Sequence, residues 1–103
     1  MRVHWTESAA GHLTALHDYI ARDSTVYARR MVDRLTSRSK QLARFPQSGR
    51  MVPEYQQDDV RELIEGPYRI IYRILPQQID VLAVVHGARE LPVAVDHLSS
   101  LPG

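Results

Sequence analysis

The sequence predicts an α+β domain in which a two-helix hairpin packs on one face of an antiparallel sheet. Apolar residues recur at helical spacing over residues 9–43, which is typical of amphipathic helices. Over residues 60–86 the chain changes to short runs rich in β-branched and aromatic residues, separated by Gly-Pro and Pro-Gln-Gln turns. This order of elements, helices first and paired strands afterwards, predicts that the helices and the sheet form separate layers.

The chain begins with a short alternating segment, Arg2–Trp5, that predicts a first strand. Thr6 can cap a following helix, and Glu7 is favourable near the positive end of the helix dipole. We expect this first helix to run to about Arg22, with apolar residues spaced along one face at Ala9, Leu13, Leu16 and Ile20.

A turn at residues 23–25 separates the first helix from a second, which Ser24 or Thr25 can cap. Its predicted apolar face consists of Ala28, Met31, Val32, Leu35, Leu42 and Ala43. Pro46 disfavours helical geometry at the residue before it, so the second helix is expected to end near Phe45. Two antiparallel helices joined by so short a turn form a helical hairpin.

Residues 47–59 are rich in polar residues, Gly and Pro, and they predict a long loop of the kind that is often functional or ordered by a partner. Three predicted strands follow, at residues 60–64, 68–75 and 79–86. In the YRIIYRI strand, Tyr68 and Ile70 belong to one face and Arg69 and Ile71 to the other. Near the C-terminus, apolar residues at helical spacing after Pro92 predict a last short helix: Leu91, Val95 and Leu98.

The composition narrows the class of protein. A chain of 103 residues is expected to form one domain, residues 1–103, with a modest core that needs no disulfide or metal. The absence of cysteine excludes a disulfide scaffold, a Cys-ligated zinc site and cysteine catalysis. No metal or cofactor motif occurs, and a net charge of +1 is unlike that of a strongly basic nucleic-acid binder. No apolar segment approaches the roughly 20 residues of a membrane helix, so we expect a cytoplasmic protein. The low net charge leads us to expect no sequence-specific nucleic-acid binding.

Four arginines accompany the predicted strands: Arg61, Arg69, Arg73 and Arg89. If they converge on one region of the sheet, they repel one another unless an anionic group lies among them. Local carboxylates could neutralise them, and the candidates are Glu62, Glu65 and Asp80. The structural and functional interpretations both remain open at this point. A second arginine stripe, at Arg30, Arg34 and Arg38, is better interpreted as the solvated face of the second helix.

The segments FPQSGRMVPE, RELI, YRIIYRI and VLAVVHGAR, in this order and spacing, resemble the ParE branch of the RelE/ParE toxins of bacterial toxin–antitoxin pairs. The resemblance runs from Val3 to Arg89. It implies a RelE/ParE-like fold with the N-terminal strand at the sheet edge. It also implies a hetero-oligomer with a cognate antitoxin, ParD-like or similar.

In the RNA-cleaving RelE branch, arginines stabilise phosphate charge, while lysines and a C-terminal tyrosine contribute further charge and proton transfer. The resemblance matches Arg69 to the middle-strand arginine and Arg89 to the arginine after the last strand. The lysines have no counterpart, since the strand of residues 60–64 offers only Arg61. Residues 93–95 are Val-Ala-Val where the tyrosine is expected, so a nuclease would need His86 as its acid–base group.

These departures favour the ParE branch, whose members are taken to bind DNA gyrase and trap its cleaved-DNA state without a catalytic centre of their own. Two alternatives remain. The first is a RelE-like, ribosome-dependent mRNA endoribonuclease that uses Arg61, Arg69, His86 and Arg89, and the second is a non-catalytic antitoxin-binding module. In each case we expect an amphipathic antitoxin tail to bind beside Arg61, Arg69 and Arg73, with its acidic residues on the arginines.

Overall fold

The protein is described here by a computed structural model that covers residues 1–101 and confirms the α+β architecture. Its elements are β1 (Arg2–Trp5), α1 (Glu7–Ala21), α2 (Thr25–Lys40), β2 (Arg50–Met51), β3 (Val60–Glu65), β4 (Tyr68–Ile74) and β5 (Gln78–His86). Two short 3-10 helices lie at Gln41–Ala43 and Val95–Ser100. No helix within residues 1–101 is both long enough and apolar enough to span a membrane.

The five strands form one sheet in the order β1-β5-β4-β3-β2. β1 lies at the edge, as expected, but it pairs in parallel with β5, whereas the other neighbours are antiparallel. The sheet is therefore mixed rather than wholly antiparallel. No tight turn connects β1 to β5, because both helices and three strands intervene in the chain, so no hairpin geometry fixes their relative direction.

The predicted helix caps are confirmed. The Thr6 hydroxyl accepts a hydrogen bond from the Ala9 amide at 3.2 Å, and the Ser24 hydroxyl accepts one from the Tyr27 amide at 3.1 Å. α2 ends earlier than predicted, at Lys40, and the chain continues as the 3-10 helix Gln41–Ala43. Tight 3-10 turns commonly finish α-helices, and here the turn brings the chain to Pro46.

The predicted alternation along β4 is confirmed, and it divides the apolar core into two clusters. The helix-side cluster, between the helical hairpin and the sheet, contains Leu35, Leu42, Ile70, Tyr72, Ile79 and Val81. The opposite cluster, on the other face of the sheet, contains Val52, Val60, Ile71, Val85, Val95 and Leu98. A register shift next to Ile71 and Tyr72 leaves Leu82 without a partner in β4, and Leu82 and Ala83 both pack on the opposite side.

Both faces of the sheet are thus covered, which the sequence did not predict. The segment of residues 47–59, expected to be a loop, includes the two-residue strand β2 and buries Val52. The predicted C-terminal helix is the 3-10 helix Val95–Ser100, which buries Val95 and Leu98 against the opposite face. These two segments close the side of the sheet that lies away from the helices.

Candidate functional site

Arg69 lies at the centre of a network of four charged side chains. The network is on the face of the sheet that lies away from the helices. Arg69 Nε donates to Glu62 Oε1 at 2.6 Å, and its two terminal nitrogens donate to Glu54 at 2.8 and 2.9 Å. Glu62 Oε2 in turn accepts from Arg50 Nε at 2.6 Å. The bidentate pair with Glu54 is the geometry that guanidinium and carboxylate groups favour. Two positive and two negative charges therefore balance within the network.

Burial strengthens the inner half of this network, the ion pair of Arg69 with Glu62. The Glu62 side chain is 0% exposed and that of Arg69 is 9% exposed. The hydrogen bond from Arg69 lowers the pKa of Glu54, and the same contact is the main cause of the raised pKa of Arg69. Both groups thus remain charged, and all three nitrogens of Arg69 are engaged.

The sequence identified one of the two carboxylates that hold Arg69. Glu62 pairs with a strand arginine as considered, but two of the proposed counter-charges do not. Glu65 pairs with Arg34 and Arg38 of α2, so part of the helix stripe is tied to the sheet. The other, Asp80, lies 3.2 Å from His4 Nδ1 and accepts a hydrogen bond from Gln78. Glu54 was missed, because no periodicity reveals where a loop folds back.

The strand arginines do not converge on one face of the sheet. Residues opposite each other on antiparallel strands share a face, so Arg61, opposite Tyr72, lies on the helix side of the sheet. There it donates to the Gly49 carbonyl at 3.0 Å. Arg69 and Arg73 lie on the other face, and Arg73 Nε is 3.4 Å from Asp59 without forming a hydrogen bond. Because side chains alternate between the two faces along β3 and β4, the arginines lie on different faces of the sheet.

His86 and Arg89 come together, as the nuclease alternative requires. They line a pocket of about 240 Å³ between α1 and the end of β5, together with His12, Ala15, Leu16, Tyr19, Tyr68, Val84 and Val85. The His86 ring stands edge-on to Tyr68 at 5.9 Å between centroids. A second pocket, of about 510 Å³, is lined by His86 and by Arg69, while Arg61 lines neither pocket. The four residues of that alternative do not form one site.

Across residues 1–101, no group of three or more His, Cys, Asp or Glu side chains is arranged to hold a metal ion. Metal-independent folding therefore stays a prediction that rests on the donor chemistry of the chain.

His12 is buried at the base of the pocket that His86 and Arg89 line. Its ring bridges two backbone groups. The Val84 amide donates to its Nδ1 at 3.3 Å, and its Nε2 lies 3.3 Å from the Leu101 carbonyl oxygen. Burial lowers the pKa of His12, which the Leu101 contact opposes and the nearby Arg89 reinforces. The folded protein therefore favours the neutral ring.

This lowered pKa predicts a pH-dependent stability. The unfolded chain takes up a proton on His12 as the pH falls through about 6.5, whereas the folded chain resists it. Stability should therefore begin to fall below about pH 6.5 and level off below the folded pKa. Thermal melts between pH 7.5 and 5 should show this loss, and His12→Gln should flatten the slope while lowering the overall stability. His97→Gln, at an exposed site, should keep the wild-type slope; an unchanged slope in His12→Gln would contradict the assignment.

Comparison with known proteins gives consistent results. Residues 3–91 match the family described as the ParE toxin of type II toxin-antitoxin system, parDE. Toxin RelE2 of Caulobacter vibrioides is 35% identical over 89 residues, which are 85% of this chain and 97% of that protein. Putative toxin Y4kP of Sinorhizobium fredii is 33% identical over 93 residues, 88% of this chain and 93% of that protein.

A solved structure, the chromosomal ParDE TA system from P. aeruginosa, superposes with a TM-score of 0.71 at 26% identity. The match covers 84% of this chain and 95% of that chain. The matched region of the family, residues 3–91, contains both the helical hairpin and all four members of the Arg69 network.

Proposed function

The chain belongs to the ParE toxin family of type II toxin–antitoxin systems, and on this premise we propose that it inhibits DNA gyrase and is neutralised by a cognate antitoxin. The observation that carries the proposal is the closed network around Arg69. The arginine that would meet a phosphate in an RNA-cleaving relative is here occupied by Glu54 and Glu62. Such a target would require the chain to act in the cytoplasm.

RNA cleavage makes two demands that this arrangement meets poorly. The site must stabilise negative charge at the phosphate and remove a proton from the 2′-hydroxyl. A phosphate near Arg69 would also approach two carboxylates, one of them fully buried, and like charges repel strongly where solvent is excluded. Arg61 is on the other face of the sheet and adds no charge there. Inhibition of gyrase by binding requires neither a charge that stabilises a phosphate nor a group that removes a proton.

A second candidate function is favoured by one observation, the shared pocket of His86, Arg89 and Tyr68. There a histidine and an arginine are placed beside an aromatic ring on which a base could stack. The relative named Toxin RelE2 is consistent with this alternative. In it the chain is a ribosome-dependent mRNA endoribonuclease with His86 as the acid–base group.

The proposed antitoxin contacts are Arg61, Arg69 and Arg73, and of these Arg69 already holds Glu54 and Glu62 of the toxin itself. Of the three, Arg73 has the most exposed side chain, at 27%; its Nε is buried, and the guanidinium lies near Asp59 and Asp96. It is therefore the readiest to accept a carboxylate from a partner. Arg61 and Arg73 lie on opposite faces of the sheet, so a single antitoxin tail that contacts both must reach both faces.

The deciding experiment uses purified toxin freed of its antitoxin. We expect it to inhibit supercoiling by gyrase and to accumulate cleaved DNA, while ribosome-bound messenger RNA stays intact. The toxin–antitoxin complex at the same concentration is the control, and it should leave gyrase active. Site-specific RNA cuts that vanish in His86→Ala or Arg89→Ala would instead establish the nuclease function. Tight antitoxin binding with neither activity would leave the chain as a binding module.

A further inference from the structure

Residues 34–53 carry five cationic side chains and no carboxylate: Arg34, Arg38, Lys40, Arg44 and Arg50. Arg34 and Arg38 both pair with Glu65, and Arg50 pairs with Glu62. Among the ion pairs within residues 1–101, none involves Lys40 or Arg44. The end of α2 and the turn after it therefore present positive charge that the fold itself does not balance.

An apolar pocket opens next to Arg44, at the end of this segment. It holds about 500 Å³ and is lined by Met1, Phe45, Pro46, Gln47, Ser48 and Ile74, so no acidic side chain of the described chain lines it. We call it the Phe45 pocket. Phe45 is 59% exposed and Met1 47% exposed, and the Arg44 guanidinium lies 5.8 Å from the centre of the Phe45 ring. Clustered exposed apolar side chains of this kind mark interaction sites.

The backbone that frames the Phe45 pocket is held from the core. The hydroxyl of the buried Tyr72 donates to the Pro46 carbonyl at 2.7 Å and accepts from the Gly49 amide at 3.0 Å. On the other side, the Met1 amino group donates to the Ala43 carbonyl at 2.7 Å. The backbone around the pocket is therefore already fixed before a partner side chain enters it. Little conformational entropy of the toxin is lost on binding, and such preorganisation favours affinity.

We propose that the Phe45 pocket receives a large apolar side chain from an acidic, amphipathic segment of the antitoxin. The argument rests on charge complementarity, because the unpaired Lys40 and Arg44 favour a segment that carries carboxylates next to its apolar residue. The identity of the partner rests on the proposed function. A cognate antitoxin is the partner that membership of the ParE family implies, and its binding here would keep this exposed apolar surface from water. The contact is separate from the one proposed at Arg73.

The test measures the affinity of the co-expressed antitoxin for toxin variants. Phe45→Ser should weaken binding about 30-fold, as expected for an aromatic side chain at the centre of an interface. The double variant Lys40→Glu/Arg44→Glu should slow association and make it less sensitive to salt. Val26→Ser and Arg29→Glu are matched controls at the other end of α2, where Val26 is 62% exposed, and both should bind like the wild type.

Thermal melts of each variant verify that the fold is intact, which the exposure of Phe45 leads us to expect. Wild-type affinity in Phe45→Ser, or an equal loss in Val26→Ser, would overturn the proposal. Normal antitoxin affinity with lost gyrase inhibition in Phe45→Ser would also overturn it and would assign the pocket to the target. If the wild type does not inhibit gyrase but Phe45→Ser still loses antitoxin, the proposed gyrase function fails and the pocket assignment stands.

Discussion

Replacing Glu62 with alanine is expected to lower the free energy of unfolding by about 3–5 kcal/mol, because it leaves the Nε of the buried Arg69 without its acceptor. Glu62 is 0% exposed and joins Arg69 to Arg50. Without it, Arg69 retains only Glu54, whose side chain is 38% exposed. Urea denaturation of the wild type and the variant would measure the loss.

Glu65→Ala is the matched control for this substitution. Glu65 also bridges two arginines, Arg34 and Arg38, but Arg34 is 48% exposed and water screens the pair. Its removal should cost less than about 1 kcal/mol. A loss as large as that of Glu62→Ala would mean that burial does not set the strength of these ion pairs.

Gly49→Ala is expected to be the second most damaging substitution. A Cβ atom at residue 49 would lie 2.5 Å from the Glu62 carbonyl oxygen and 2.6 Å from the Tyr72 hydroxyl. Neither neighbour can move freely, because one belongs to the backbone of β3 and the other to a buried ring. We therefore expect a loss of about 3 kcal/mol, at the upper end of the usual cost of overpacking, and a lower melting temperature.

Gly11→Ala provides the opposite expectation in the same assay. A Cβ atom at Gly11, on the exposed side of α1, would meet nothing within 4 Å. Alanine is a better helix former than glycine, so this variant should gain about 1 kcal/mol. If both glycine variants lose stability equally, crowding at residue 49 is not the cause.

The sequence predicted those features that depend on neighbouring residues. The caps at Thr6 and Ser24 and the three main strands follow from side-chain chemistry and period within a few positions, and the structure confirms them. The partners of Arg69 depend on more distant information. Glu54 reaches it only because a long segment folds back over the sheet, and no local pattern records that path.

Strand register explains the other differences between the sequence prediction and the structure. Whether Arg61 and Arg69 share a face is decided by which residues stand opposite one another across β3 and β4, and shifting the register by one residue reverses the answer. The parallel direction of β1 has the same origin, since its partner is fixed by packing rather than by a turn. Family resemblance placed β1 at the edge but gave no direction for it.

The pairing of β1 with β5 has a consequence for the order of synthesis. His4 lies next to Asp80, 76 positions later in the chain, so the first strand leaves the ribosome long before its partner exists. Contacts this distant in sequence close slowly and late, whereas the helical hairpin can form at once from nearby residues. A nascent chain is thus unable to complete its sheet until β5 has emerged.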